Sequence, residues 1–255
     1  MASWPRRPAV FPIKDNIPTD RFPAVTLVLI AINVIVFLFW QEPSGFSGVD
    51  DTKVVEYGAI PFELTNPGEH CEIAGSSLTC GEGATGDAPT LLTILTSMFM
   101  HGGFLHLGGN MLFLWIFGNN VEDSMGTVKF VAFYLLGGAA ALGGQVAFDP
   151  DAQVPTIGAS GAVAAVLGGY ILLHPRARVL TLIFIVFFVT IIEIPAVIML
   201  GLWFLEQAFF AAAELSDPLG GGGGIAYWAH IGGFVFGLAA IKLFARRRRE
   251  REVVV

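Results

Sequence analysis

Charged side chains are scarce in this sequence. They make up 14% of its 255 residues, where soluble domains run near a quarter. With 54% hydrophobic residues and a mean hydropathy of +0.68, that shortage excludes an ordinary soluble domain. Cysteine is nearly absent: Cys71 and Cys80 are the only two. Internal duplication is lacking, which speaks against a secondary transporter built from repeats. Basic residues are missing from one long stretch in particular. Between Gln41 and Met100, nine acidic residues stand against Lys53 alone. No cofactor and no metal are expected.

What is present is a succession of apolar runs of membrane-span length. They cover residues 24–40, 103–118, 130–148, 158–173, 179–213 and 226–244. The segment before the first run holds Pro5, Pro8, Pro12 and Pro18, too many for a long helix. A basic segment before an apolar one also fits a signal peptide. No small-x-small cleavage site follows Trp40, so an uncleaved anchor is the better reading. The run 179–213, with Pro195 inside, is too long for one upright span and too short for two. It reads as a single tilted or kinked helix. The fold class expected is an all-α integral membrane protein with six transmembrane helices. Its parts are a cytoplasmic segment 1–23, a membrane domain 24–245 with an outer loop at about 41–100, and a basic tail 246–255.

Charge sorting supports that count. With the N-terminus in the cytoplasm, Arg6, Arg7, Lys14, Arg21, Lys129, Arg176, Arg178, Lys242, Arg246, Arg247, Arg248, Arg249 and Arg251 all lie inside. Only Lys53 is outside, which is the positive-inside pattern. Beside a span, the final arginines read as an inner-leaflet anchor and not as a nucleic-acid site. The partner expected from this is the lipid bilayer, and no nucleic acid. Cys71 and Cys80 lie in the outer loop. They would form a disulfide on an oxidising side and stay two free thiols otherwise.

Parity then places the second, fourth and sixth spans in one direction, from outside to inside. Their first turns share a layer near the outer face. That layer holds His106 and Asn110, Ser160, and His230. Polar groups inside spans usually face a cavity or a partner. Ser160, in Gly158-Ala159-Ser160-Gly161, fits a helix cap, a packing contact or a nucleophile. A nucleophilic serine needs a base, and His230 is the only histidine on the sixth span. Gly161, Ala164, Ala165 and Gly168 on one helix, and Gly232, Gly233 and Gly237 on the other, would let the two backbones approach. His106 and Asn110 are spaced i, i+4 and share a face. They fit either a polar network between helices or two donors to a developing oxyanion. His101 would extend that network. No acidic residue is placed to orient His230, which indicates a dyad. Glu193 reads as a buried structural hydrogen bond in mid-span, and Glu206 and Gln207 as residues near the outer headgroups.

Taken together, His101-x4-His106-x3-Asn110, Gly158-Ala159-Ser160-Gly161 and Ala229-His230-x-Gly232-Gly233 resemble the rhomboid family of intramembrane serine proteases. Gly118-x3-Glu122-x3-Gly126 after the second span matches a further element of that family. The stretch Pro12-Ile-Lys-Asp-x-x-Pro18-Thr19 is similar to the lead-in of its bacterial members. The resemblance implies a serine-type endopeptidase of the bacterial plasma membrane that cleaves single-span proteins near the outer face. It implies Ser160 as nucleophile, His230 as base, and His106 and Asn110 in the oxyanion hole. It also suggests a lid formed by the glycine-rich stretch 216–224 and the outer half of the fifth span. The sequence departs from the family twice: the Trp-Arg pair of the outer loop is missing, and Ala164 stands where some members carry a tyrosine beneath the histidine. Two other classes stay open, a catalytically silent binder of membrane helices and a transporter.

Overall fold

The computed structural model describes residues 9–44, 48–75, 77–86, 88–185, 188–216 and 225–245. The arginine tail, most of the glycine-rich stretch and the first eight residues, all read above, lie outside these. Strand β1 (Ala9–Asp15) leads into α1 (Ala24–Ile35), which runs on through a π-helical turn to Trp40. The outer loop carries α2 (Asp51–Tyr57), α3 (Pro61–Thr65), the hairpin β2 (His70–Ala74) and β3 (Ser77–Gly81), and α4 (Thr90–Thr96). Next, α5 (Phe104–Phe113) continues through π-helical turns, Leu114–Gly118, into α6 (Asn119–Met125). The remainder is α7 (Thr127–Phe148), α8 (Ser160–Leu173), β4 (Arg178–Ile185), β5 (Phe188–Pro195), α9 (Ala196–Ser216) and α10 (Tyr227–Phe244). Among the described residues, three helices are long and apolar enough to cross a membrane, or four if one pair bent by 79° counts as a span. The helices 24–40 and 160–173 are apolar but shorter. The fold is a mostly helical membrane bundle with two small sheets.

Those sheets were not expected from the sequence. The run 179–213 is not one kinked helix. Its first half folds as the β4–β5 hairpin, and α9 starts only after Pro195. Residues 179–194 are rich in Val, Ile, Thr and Phe, which favour strands, and proline is tolerated at a helix start but not inside one. β1 adds to the other edge of β4, giving the antiparallel order β1-β4-β5. Pro12 sits where the β1–β4 register shifts, a place where a residue without an N–H does least harm. Glu193 is correspondingly not buried in mid-span. It lies on β5, about half exposed, with Arg178 Nη1 at 3.8 Å.

The sheet is tied to the bundle through Asp15. Its Oδ2 accepts from Tyr170 Oη at 2.5 Å and from Asn120 Nδ2 at 2.7 Å. Burial pushes the Asp15 carboxyl above the usual carboxylate range, and the Tyr170 hydroxyl pulls it part of the way back. Glu122 explains the Gly-x3-Glu-x3-Gly element. It caps the first turn of α1, accepting from the Val25 and Thr26 amides and the Thr26 hydroxyl at 2.8–3.0 Å. Gly118 leaves room for Thr26, and Gly126 ends α6 at φ +86°.

The outer loop is anchored without the missing Trp-Arg pair. Gln41 clamps the His101 backbone, donating to its carbonyl at 3.0 Å and accepting from its amide at 2.8 Å. Ala59 and Thr156 form a bridge, and Thr96 Oγ1 donates to the Tyr57 carbonyl at 2.6 Å. Cys71 and Cys80 face each other across the β2–β3 hairpin and are joined as a disulfide.

Helix α8 is the centre of the bundle: every residue from Gly161 to Tyr170 is buried. It meets α10 backbone to backbone. A Cβ added to Gly233 would fall on the Gly161 carbonyl, one on Gly237 on the Ala165 carbonyl, and one on Gly168 on the Phe234 carbonyl. Gly232 does not belong to this seam; it faces α7, with Gly144 Cα 3.1 Å from where its Cβ would stand. Because the obstacles are main-chain atoms, no side-chain rotation relieves them. Gly237→Val should therefore push α8 and α10 apart and cost at least the roughly 1–3 kcal/mol of an overpacked core. A lowered thermal midpoint in detergent checks this.

Candidate active site

Ser160 is the first residue of α8. The chain reaches it through Gly158 at φ +125°, a left-handed conformation that glycine adopts freely. The Gly158 amide donates to the Ser97 carbonyl at 2.8 Å, and the Ala159 amide to His101 Nε2 at 3.5 Å. The turn before the serine is thus held from both sides. The Ser160 amide belongs to the first turn of α8, where helix N–H groups have no partner within the helix.

His230 lies in the first turn of α10, and Gln145 of α7 accepts from the neighbouring Ala229 amide at 3.3 Å. Across the glycine seam, His230 Nε2 stands 2.9 Å from Ser160 Oγ. On its other side, His230 Nδ1 stands 2.7 Å from Gln207 Oε1. The Trp203 ring lies beside the imidazole with centroids 5.7 Å apart. Support for His230 therefore comes from α9, in place of the aromatic missing at Ala164. Gln207 is buried in this contact. Gln207 does follow Trp203 by one turn, but Glu206 and Glu214 lie on the same helix, and nothing in the sequence singles the glutamine out from them.

His106 and Asn110 join the same cavity from α5. The Gly102 amide donates to His106 Nδ1 at 3.3 Å. A neutral His106 thus carries its proton on Nε2. That atom points at the room left by Gly158: a Cβ there would stand 2.7 Å from His106 Nε2 and 3.5 Å from Ser160 Oγ. Asn110 Nδ2 donates to the His106 carbonyl at 3.0 Å, and the same nitrogen carries a second N–H. His101 is fully buried and does not line the cavity. Its ring packs edge-on against His106, centroids 5.1 Å apart, so it supports the site from behind. The cavity measures about 980 Å³ and is walled by α5, α7, α8, α9 and α10 with the loop before Gly158. Among the described residues no cluster of His, Cys, Asp or Glu could hold a metal ion.

Apolar helices around a cavity, with a serine hydroxyl on a histidine nitrogen in its wall, define a class: polytopic membrane proteins with a Ser–His pair. Comparison with known proteins narrows it. A family model described as Rhomboid domain matches residues 88–247. The chain is 31% identical over 216 residues to Rhomboid protein 1, mitochondrial, of Saccharomyces cerevisiae, covering 82% of this chain and 50% of that protein. It is 31% identical over 214 residues to Rhomboid protease GluP of Bacillus subtilis, covering 78% and 36%. With the human Presenilin-associated rhomboid-like protein, mitochondrial, identity is 30% over 164 residues, covering 63% and 35%. The chain belongs to the rhomboid family. It spans half or less of the length of these relatives.

Proposed function

We propose that this chain is an intramembrane serine endopeptidase acting through Ser160 and His230. The observation that carries the proposal is the 2.9 Å contact between Ser160 Oγ and His230 Nε2 inside a cavity. Membership of a family that includes a protein named as a protease supports it. Ser160 Oγ attacks the scissile carbonyl carbon while His230 Nε2 takes its proton. The carbonyl oxygen becomes an oxyanion, met by His106 Nε2–H, the second N–H of Asn110 and the Ser160 amide. His101 holds the turn that aims the serine. As the intermediate collapses, the C–N bond breaks and the leaving nitrogen takes the proton from His230. A water then attacks the acyl carbon as His230 takes one of its protons; the C–Oγ bond breaks, His230 returns the proton to Ser160 Oγ, and the carboxylic acid leaves.

The proposed substrates are single-span membrane proteins cut near the outer face. Six spans are proposed: α1, the α5–α6 unit, α7, α8, α9 and α10, with both termini cytoplasmic. The sorting of basic residues supports this orientation, and the loop disulfide is consistent with an oxidising outer side. The proposed membrane is the bacterial plasma membrane; the relatives include both a bacterial protein and proteins named as mitochondrial. Co-expression with a panel of tagged single-span proteins tests the reading. Fragments that appear with the wild type and vanish with Ser160→Ala support it. Fragments that persist in Ser160→Ala, or a panel left uncut by wild type of intact fold, speak for a silent helix binder.

A further inference from the structure

We propose that Gln207 is a positioning residue that fixes the tautomer and orientation of His230, extending the Ser–His pair into a Ser–His–Gln arrangement across three helices. The inference rests on the protease reading of the same site.

Helix α9 touches the bundle along a narrow stripe. Ala196, Leu200, Gln207 and Ala211 are buried, while Ile198, Leu202, Leu205, Phe209 and Phe210 are exposed toward where lipid would lie. A glutamine on the buried stripe of such a helix is costly unless its amide is paired. Its partner is the ring nitrogen of His230 that does not face the serine.

The chemistry sets the direction of that bond. An amide oxygen can only accept, so with Oε1 at 2.7 Å, His230 Nδ1 must carry the proton. Nε2 is then left with a lone pair toward Ser160 Oγ, which is the form a general base needs. When Nε2 takes the serine proton, Nδ1–H still donates to the same oxygen, so nothing has to rearrange. A carboxylate could do the same, but at the cost of a full charge within the span. The neutral amide does so without one. Trp203, one turn earlier on α9, bounds the ring on another side. Both supports therefore come from α9, so the basic form of His230 depends on that helix being docked.

Three variants and one spectroscopic readout test this in bilayer-embedded full chain. Gln207→Leu, which keeps the bulk and removes the acceptor, should lower kcat roughly tenfold with KM little changed, a part of the roughly 10²–10⁴-fold that a general base contributes. Gln207→Glu, which returns an acceptor to the same place, should recover most of that loss, and Gln207→Asn, one methylene short, should not. Nitrogen-15 spectra of the His230 ring should show the Nδ1–H form in the wild type and a loss of that preference in Gln207→Leu. Leu and Glu variants that are equally impaired, or a Leu variant with wild-type kcat and ring spectrum, overturn the proposal. If the wild type itself neither cleaves nor reacts, the protease reading fails. The ring spectra then decide the Gln207 contact by themselves: Nδ1–H that persists without Gln207 removes it.

Discussion

Ser160→Ala should abolish proteolysis while the protein still inserts and folds. Ser160 contributes a hydroxyl at the start of α8, and alanine keeps the helix. What is lost is the proposed attacking atom, 2.9 Å from the proposed base. His230→Ala should fall to the same floor. For residues acting as one unit, losses on the order of 10⁶ in kcat are seen, and the double change is little worse than either single one. His230→Ala also leaves the Gln207 amide buried without its partner, which costs about 1–3 kcal/mol. Ser160→Ala is therefore the cleaner probe, and a lower thermal midpoint is expected only for the histidine variant. Rates that multiply in the double mutant would mean that the two residues act separately.

The second large effect is expected from the proposed oxyanion donors, His106 and Asn110. Removing one such donor costs about 2.7–4 kcal/mol in the barrier when it acts alone. His106 and Asn110 both reach the cavity from α5, so each single alanine should cost less than that, and the pair together at least as much. The loss should appear in kcat and not in KM, because the charge they meet develops only in the transition state. Asn110→Ala removes a bond to a carbonyl of its own helix, so the fold should tolerate it. His106→Ala also opens space beside Gly158 and His101 and should be the less stable variant. An unchanged kcat in the double variant would remove both residues from the chemistry.

Most of the site was legible from sequence because polar side chains in apolar helices are few. Ser160, His230, His106 and Asn110 stand out against their neighbours, and the fold brings them to one cavity. The glycines of α10 could be phased against His230 at i, i+3 and i+7, so the α8–α10 seam was legible as well. Gly232 was not, because a glycine next to Gly233 points some 100° away, here toward α7. The β4–β5 hairpin escaped because a continuous apolar run carries no period to separate strand from helix. That error propagated. With 179–213 taken as one helix, the register of its second half was unknown, and Gln207 could not be aligned with His230. Glu193 was misjudged for the same reason: on an edge strand it reaches Arg178 in the open. The cysteines posed a different problem. Their pairing depends on which side of the membrane the loop meets, and only the β2–β3 register shows them face to face.

The central claim is that Ser160 is a nucleophile activated by His230. The most direct measurement is reaction of the bilayer-embedded protein with a serine-reactive fluorophosphonate, the adduct then being located by peptide mass spectrometry. A single adduct on Ser160 is expected, absent in Ser160→Ala and greatly reduced in His230→Ala. Labelling that survives Ser160→Ala undiminished, or an adduct on any other residue, would contradict the account.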